Sequence, residues 1–166
     1  MVTKTPASRI ALGGVMAALA VVIMNMGTLI PVATYVCPML CMLLLQVVTR
    51  YCGKRVGWAW YGAVSILSLL LAPDKEAAAV FLFLGYYPII KPNLDRRRGN
   101  RLWKLLLFNG TILAMYWFLL RIMGMERLIT EFMEMGIALT LFTLVLGNIT
   151  FFALDRLLEK VWKKLK

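Results

Sequence analysis

The feature that most constrains this chain is a series of six apolar segments, each close to the length that crosses a lipid bilayer. They occupy residues 10–30, 33–49, 56–72, 76–90, 102–120 and 135–154. A membrane-spanning helix needs ~20 apolar residues and tolerates ~17 to 25. Hydrophobic residues make up 61% of the 166 residues. We therefore predict an all-α integral membrane protein, a single domain over residues 1–166 in which six transmembrane helices form a compact bundle.

The distribution of basic residues predicts the orientation of these helices. If both termini are cytoplasmic, all but three of the 19 lysines and arginines lie on the cytoplasmic side, and the exceptions are Lys75, Arg121 and Arg127. Such a bias is the positive-inside pattern of multi-pass proteins. The net charge of +11 then reflects topology, and we expect the lipid bilayer of a bacterial plasma membrane as surroundings and no nucleic-acid partner.

No catalytic or metal-binding pattern is present in the sequence. There is no histidine, and Cys37 and Cys41 lie one helical turn apart inside an apolar run, where cysteines usually pack. The chain lacks a P-loop, a nucleophile elbow and an H-E-x-x-H motif. Two Asn-X-Thr triplets, at Asn109 and Asn148, also lie inside apolar runs and are discounted as glycosylation sites. We expect no enzymatic activity, no metal and no cofactor.

The fourth apolar segment begins with three charged residues. Pro73 and Asp74 are typical of a helix start, since Asp74 can accept hydrogen bonds from unpaired amides and Glu76 is favourable at the positive end of the helix dipole. Alternatively, the charges form an ionic cluster at the outer mouth of the bundle, where Lys75 meets an anionic solute. At its other end, we expect Pro88 and Pro92 to stop this short helix, so that it can tilt as one body.

The pattern of apolar residues over 123–135 predicts a short amphipathic helix on the outer surface. Met125, Leu128, Ile129 and Phe132 recur at helical spacing, with glycines at both ends of the stretch. Two interpretations stay open. The helix either connects the fifth and sixth spans and shields the bundle, or it acts as a lid over a pocket.

The first apolar segment carries small residues at helical spacing. Gly13 and Ala17 form one pair separated by four positions, and Gly14 and Ala18 form another. Small residues let helix backbones approach closely in lipid, where packing drives association. The pairs predict either a contact inside this chain or a docking surface for another membrane subunit.

Taken together, these features resemble the substrate-binding S component of energy-coupling-factor (ECF) transporters. Shared features are six spans with both ends inside, small-residue steps in the first helix, a short fourth helix and a basic loop after it. The resemblance implies capture of a micronutrient, a vitamin or its precursor, at the outer face. It also implies a transmembrane coupling subunit, docked on Gly13, Gly14, Ala17 and Ala18, and two cytoplasmic ATPases. Metal-transporting members rely on an N-terminal histidine, so a metal substrate is not expected.

The same resemblance implies a set of substrate-binding residues in the outer half of the bundle. They are Asn25, Thr28, Tyr35, Asp74, Lys75, Glu76, Tyr116, Trp117 and Arg121. A planar ligand would stack on Tyr116 or Trp117, while Lys75 or Arg121 meets an anionic group. In the alternative interpretation these aromatic residues form only an interfacial belt.

A second class of function is compatible with the same pattern. The chain can be a structural or scaffold protein of the cell envelope, like the rod-shape factor MreD, with no small-molecule ligand. A third option is a subunit of a lipid-handling enzyme or flippase.

Overall fold

The computed structural model describes residues 6–26, 33–96, 99–121 and 126–164. All regular secondary structure in these ranges is helical, which confirms the all-α part of the predicted fold class. Seven helices follow one another in these ranges: α1 Pro6–Asn25, α2 Ala33–Cys52, α3 Lys54–Leu71, α4 Lys75–Leu84, α5 Tyr87–Asp95, α6 Asn100–Arg121 and α7 Glu126–Lys164.

Apolar helical stretches of membrane-crossing length are present in this fold. Within the described ranges four stretches qualify by length and composition: Ala7–Asn25, Thr34–Cys52, Lys75–Asp95 and Arg101–Leu119. These stretches are compatible with a membrane protein. The number of six spans and the cytoplasmic position of both termini remain predictions.

Helix α2 lies at the centre of the bundle and packs against α1, α3, α4, α5 and α7. Its buried face includes Met42, Leu45 and Val48. The turn into α3 is made by Gly53, whose φ of 94° favours glycine. A Cβ added at Gly57 would lie only 2.6 Å from the Thr49 hydroxyl oxygen, so glycine is what allows α2 and α3 to approach closely.

The span predicted over residues 76–90 lies within the Lys75–Asp95 stretch of membrane-crossing length. Its helix is interrupted at Gly85 and Tyr86, so the expectation of one uninterrupted helix is wrong. Helix α4 ends at Leu84, and a Cβ at Gly85 would collide with the carbonyl oxygen and ring of Phe81. Pro88 starts α5 instead of ending a helix, because a first-turn residue needs no amide hydrogen. Pro92 lies inside α5, which continues to Asp95.

Side chains from α3 support the break between α4 and α5. The Tyr61 hydroxyl donates a hydrogen bond to the carbonyl of Leu82, which lies in the last turn of α4, where carbonyls lack helical partners. Trp58 stacks on Tyr86 with ring centroids 6.4 Å apart. The break is therefore held by α3 on one side, and Tyr61 provides a hydrogen-bond partner for one of its carbonyls.

Helix α7 runs through the point where a boundary was predicted. The sequence placed a surface helix at 123–135 and a span at 135–154, but α7 is continuous over 39 residues; residues 123–125 lie outside the described ranges. The predicted helix boundary at Gly136 is wrong. One glycine destabilises a helix interior by only about 1 kcal/mol and does not end the helix. At ~1.5 Å per residue, the helix is far longer than the ~30 Å apolar core of a bilayer.

Two asparagines connect α6 and α7. The amides of Asn109 and Asn148 exchange hydrogen bonds of 3.3 and 3.2 Å. Each amide also donates to the carbonyl four residues earlier in its own helix. Both Asn-X-Thr triplets therefore have a structural role inside helices.

Candidate functional site

Asp74 begins α4 as the sequence predicted. One carboxylate oxygen accepts a hydrogen bond of 3.0 Å from the Ala77 amide, and the other accepts one of 2.7 Å from the Thr34 hydroxyl of α2. Glu76 follows in the first turn, at the positive end of the helix dipole. The capping interpretation is therefore confirmed, and the same carboxylate ties α4 to α2.

Four of the predicted substrate-binding residues meet at this end of the bundle. The Tyr35 hydroxyl donates to a Glu76 carboxylate oxygen at 3.3 Å, and Tyr35 also shares a side-chain hydrogen bond with Tyr116 of α6. Together with Asp74 and its partner Thr34, these residues come from α2, α4 and α6. We refer to Thr34, Tyr35, Asp74, Glu76 and Tyr116 as the Asp74 cluster.

Of the remaining predicted substrate-binding residues, those that the structure describes form hydrogen bonds elsewhere or are exposed. The Lys75 ammonium donates to the Leu69 carbonyl at 2.8 Å and so completes the end of α3. Asn25 bonds within its own helix to the Val21 carbonyl at 2.8 Å. Trp117 and Arg121 are exposed, and Thr28 lies outside the described residues.

Helix α1 presents two different faces, and each small-residue pair lies on one of them. On the inner face, the buried Gly13 accepts a hydrogen bond of 3.1 Å from the Trp60 indole, and the half-buried Ala17 packs against the core. The Cys41 thiol lies 3.5 Å from the Ala20 carbonyl. This face is thus an internal contact with α2 and α3.

A second strip of α1, which carries the other pair, is exposed. Gly14 and Ala18 are exposed, whereas Gly13 is buried. Among the described residues, no atom lies within 4 Å of a Cβ built on either glycine, so exposure and the Trp60 bond are what separate the two faces. Ala7 and Ala11 are exposed as well and extend the same strip of small side chains. We refer to Ala7, Ala11, Gly14 and Ala18 as the Gly14 face.

Sequence reasoning missed a buried ionic cluster at the other end of the Lys75–Asp95 stretch. Asp155 of α7 accepts hydrogen bonds from the Tyr87 hydroxyl at 2.5 Å, from the Lys91 ammonium and from the Lys104 ammonium at 2.8 Å. Lys104 also forms an ion pair of 2.6 Å with Asp95. These five residues, here called the Asp155 cluster, join α5, α6 and α7.

Both lysines of this cluster are almost fully buried, with 6% of Lys91 and 5% of Lys104 exposed. Burial alone would raise the pKa of the Asp155 carboxyl, but hydrogen bonds from Lys104, Lys91 and Tyr87 and the charge of Lys91 hold that pKa below its usual range. Asp155 is therefore ionised at neutral pH, and it balances buried charges that would otherwise have Asp95 as their one acid among the described residues.

A signal for this cluster was present in the sequence. Lys91 and Lys104 were counted as part of the basic loop, whereas Asp155 follows an apolar run that ends at Leu154. A carboxylate at the end of an apolar helix generally needs a cationic partner. The identity of that partner depends on which helices pack together, which the sequence pattern does not give.

An open pocket of about 860 Å³ lies beside the Asp155 cluster, between α6 and α7. Its charged lining consists of Asp95, Arg101, Lys104, Asp155, Arg156 and Glu159. Its apolar lining consists of Ile149, Phe152 and Ala153. Among the side chains that the structure describes, no group of three or more potential ligands is placed to hold a metal ion.

No family model, no curated protein and no solved structure matches this chain. Its functional interpretation rests on the Asp74 cluster, the Asp155 cluster and the two faces of α1.

Proposed function

We propose that this chain is the membrane-embedded substrate-binding subunit of an ECF-type uptake transporter. It captures a small micronutrient at the Asp74 cluster and docks on a transmembrane coupling subunit through the Gly14 face. The observation that carries the proposal is the division of α1, in which Gly13 is engaged by Trp60 while Gly14 and Ala18 stay open.

An open glycine in the middle of a helix calls for a physical reason. Glycine destabilises a helix interior by about 1 kcal/mol relative to alanine, and contact with lipid tails requires no small side chain. Close approach of a second helix does require one, because packing in lipid depends on backbone proximity. The four small residues of the Gly14 face extend over three helical turns, which suits a long contact with a partner helix.

The Asp74 cluster supports the solute-binding half of the proposal. Its carboxylates and phenols come from three helices and meet at one end of the bundle, where a small molecule can reach several helices at once. The Lys75 ammonium is already bound to the Leu69 carbonyl, so acceptor oxygens dominate the cluster. We therefore propose a solute that donates hydrogen bonds through hydroxyl or amine groups.

Docking is tested by enlarging the Gly14 face. The Gly14→Leu/Ala18→Leu double variant fills this face, whereas Ala59→Leu/Ala63→Leu adds similar bulk to exposed positions of the same spacing on α3. Each tagged chain is purified from its native membranes, and its partners are identified by mass spectrometry. We expect a coupling subunit and two ATPases with the wild-type chain and the α3 control, and their loss with the α1 variant.

Solute capture is tested separately by native mass spectrometry of the purified chain. We expect a small molecule to be retained by the wild-type chain and by the α1 variant, and to be lost from Glu76→Gln/Tyr35→Phe. Cell-envelope machinery in place of ATPases, together with a chain that retains no small molecule, would contradict the proposal and support a scaffold role.

A further inference from the structure

The pocket between α6 and α7 contains positive charge that no acid of the described chain balances. Asp155 is paired with Lys91 and Lys104, and Asp95 lies 2.6 Å from Lys104 and 4.0 Å from Lys91. Two lysines therefore balance two aspartates at the pocket wall.

The third carboxylate of the pocket is also paired. Glu159 forms an ion pair of 2.8 Å with Lys163, one helical turn further along α7. Arg101 and Arg156 line the same pocket, and neither forms an ion pair with any residue that the structure describes. Two guanidinium groups are thus left to meet an anion, and guanidinium groups suit phosphate oxygens because they can donate two parallel hydrogen bonds.

The rest of the pocket indicates what the anion is attached to. Ile149, Phe152, Ala153 and Arg156 recur at spacings of three and four residues, so they lie on one face of α7. Val145 and Leu146, one turn earlier, are exposed as well. This face therefore runs from an apolar strip to a guanidinium group, in the order of an acyl chain followed by a phosphate headgroup.

We propose that this pocket binds an anionic phospholipid, with the phosphate between Arg101 and Arg156 and an acyl chain along α7. The pocket volume of about 860 Å³ greatly exceeds what a phosphate ion fills, and its apolar wall gives a soluble phosphate no additional contact. Basic pockets between membrane helices are a known mode of headgroup recognition. The proposal is independent of the micronutrient and of the coupling subunit.

The test uses the full-length protein purified in detergent. Dioleoyl phosphatidylglycerol and dioleoyl phosphatidylcholine, which share their acyl chains, are added, and bound lipid is measured by native mass spectrometry alongside the thermal unfolding midpoint. We expect phosphatidylglycerol to bind and to raise the midpoint, and phosphatidylcholine to do neither. The Arg101→Gln/Arg156→Gln variant should weaken phosphatidylglycerol binding about tenfold or more.

A matched control removes two exposed positive charges elsewhere, in Arg9→Gln/Arg55→Gln, and should bind phosphatidylglycerol like the wild-type chain. Because all four arginines are exposed, the lipid-free unfolding midpoint should change little in either variant. Equal binding of the two lipids, or unchanged phosphatidylglycerol binding in Arg101→Gln/Arg156→Gln, would overturn the proposal. So would an equal rise of the midpoint with inorganic phosphate or glycerol 3-phosphate, because the occupant would then be a soluble phosphate.

Discussion

The two ends of the Lys75–Asp95 stretch hold their carboxylates in different ways. At one end Asp74 accepts hydrogen bonds from neutral groups, the Thr34 hydroxyl and the Ala77 amide. At the other end Asp155 is held by two buried ammonium groups and a phenol. Hydrogen bonds from neutral donors can be replaced by those of a solute without separating charges. A buried ion pair cannot be opened without leaving a buried charge unbalanced. The difference suits the first end to exchange contacts and the second to fix helices.

The largest expected effect is that of removing the carboxylate at the ionic end. Asp155→Asn leaves two buried lysines with Asp95 as their remaining acid, and we expect a loss of about 3 kcal/mol in the free energy of unfolding. Chemical denaturation in detergent measures the loss. Glu159→Gln, which removes an exposed carboxylate of the same helix, should leave the stability nearly unchanged, because exposed ion pairs contribute little.

A compensated variant sharpens this test. Lys91→Met/Lys104→Met/Asp155→Leu removes both buried ammonium groups with the carboxylate, and apolar replacements of this kind are often neutral. Recovery of most of the lost stability would show that unbalanced charge causes the defect. A triple variant no more stable than Asp155→Asn would instead point to lost packing, and the electrostatic contrast between the two ends would fail.

The pH dependence of stability should also come from the ionic end. Because the folded pKa of Asp155 lies below the unfolded value of ~3.9, its bonds stabilise the fold above that value, and the stabilisation is lost as the pH falls through the folded pKa. The difference in unfolding midpoint between the wild-type chain and Asp155→Asn should be constant from pH 8 to about pH 5 and narrow in more acidic solution. A difference that does not narrow would contradict the ionised state of Asp155.

A smaller effect is expected at the opposite end of the stretch. Asp74→Ala removes the cap of α4 and the bond to Thr34, and we expect a loss of about 1 to 2 kcal/mol. Asp74→Asn keeps a side-chain oxygen for the Ala77 amide and should lose less than about 1 kcal/mol. If the asparagine variant is as unstable as the alanine variant, the negative charge of Asp74 itself stabilises the fold. Asp74 would then depend on electrostatics as Asp155 does, although its hydrogen-bond donors are neutral.

The smallest effect is expected at the neutral pair between α6 and α7. A double-mutant cycle with Asn109→Leu and Asn148→Leu should give a coupling energy of about 0.6 kcal/mol, the average for hydrogen bonds between membrane helices. Chemical denaturation of the four proteins measures it. A coupling larger than the loss in Asp155→Asn would reverse the ranking of ionic over neutral contacts in this fold.

Local features of this fold were predictable from the sequence, and pairings between distant helices were not. Helical structure and the cap at Asp74 follow from apolar run length and from residues next to each other in the chain. Pro88 was misread because a proline can end one helix or begin the next, and Gly85, packed against Phe81, decides between the two here. The Asp155 cluster needs Lys91, Lys104 and Asp155 to converge from three helices, which no local pattern specifies.

For the Gly14 face and the Asp74 cluster, the sequence indicated candidate residues but not which of them pack internally and which are open to a partner or solute. Small residues on α1 were ambiguous between internal packing and docking. The bond from Trp60 assigns Gly13 to internal packing, while docking through Gly14 and Ala18 stays a proposal. Likewise, Lys75 was a candidate for an anionic ligand because its position beside two acids was visible, whereas its bond to the Leu69 carbonyl was not. Side-chain reach across a helix junction depends on tertiary geometry.

The division between α4 and α5 has a consequence for how the bundle can deform. If the Lys75–Asp95 stretch crosses the bilayer, the junction of α4 and α5 lies below the membrane surface, where lipid offers peptide groups no hydrogen bonds. Tyr61 of α3 supplies a hydrogen bond to the Leu82 carbonyl, so α3 supports the junction between α4 and α5. Any rotation of α4 relative to α5 that separates Leu82 from Tyr61 would therefore have to break this hydrogen bond.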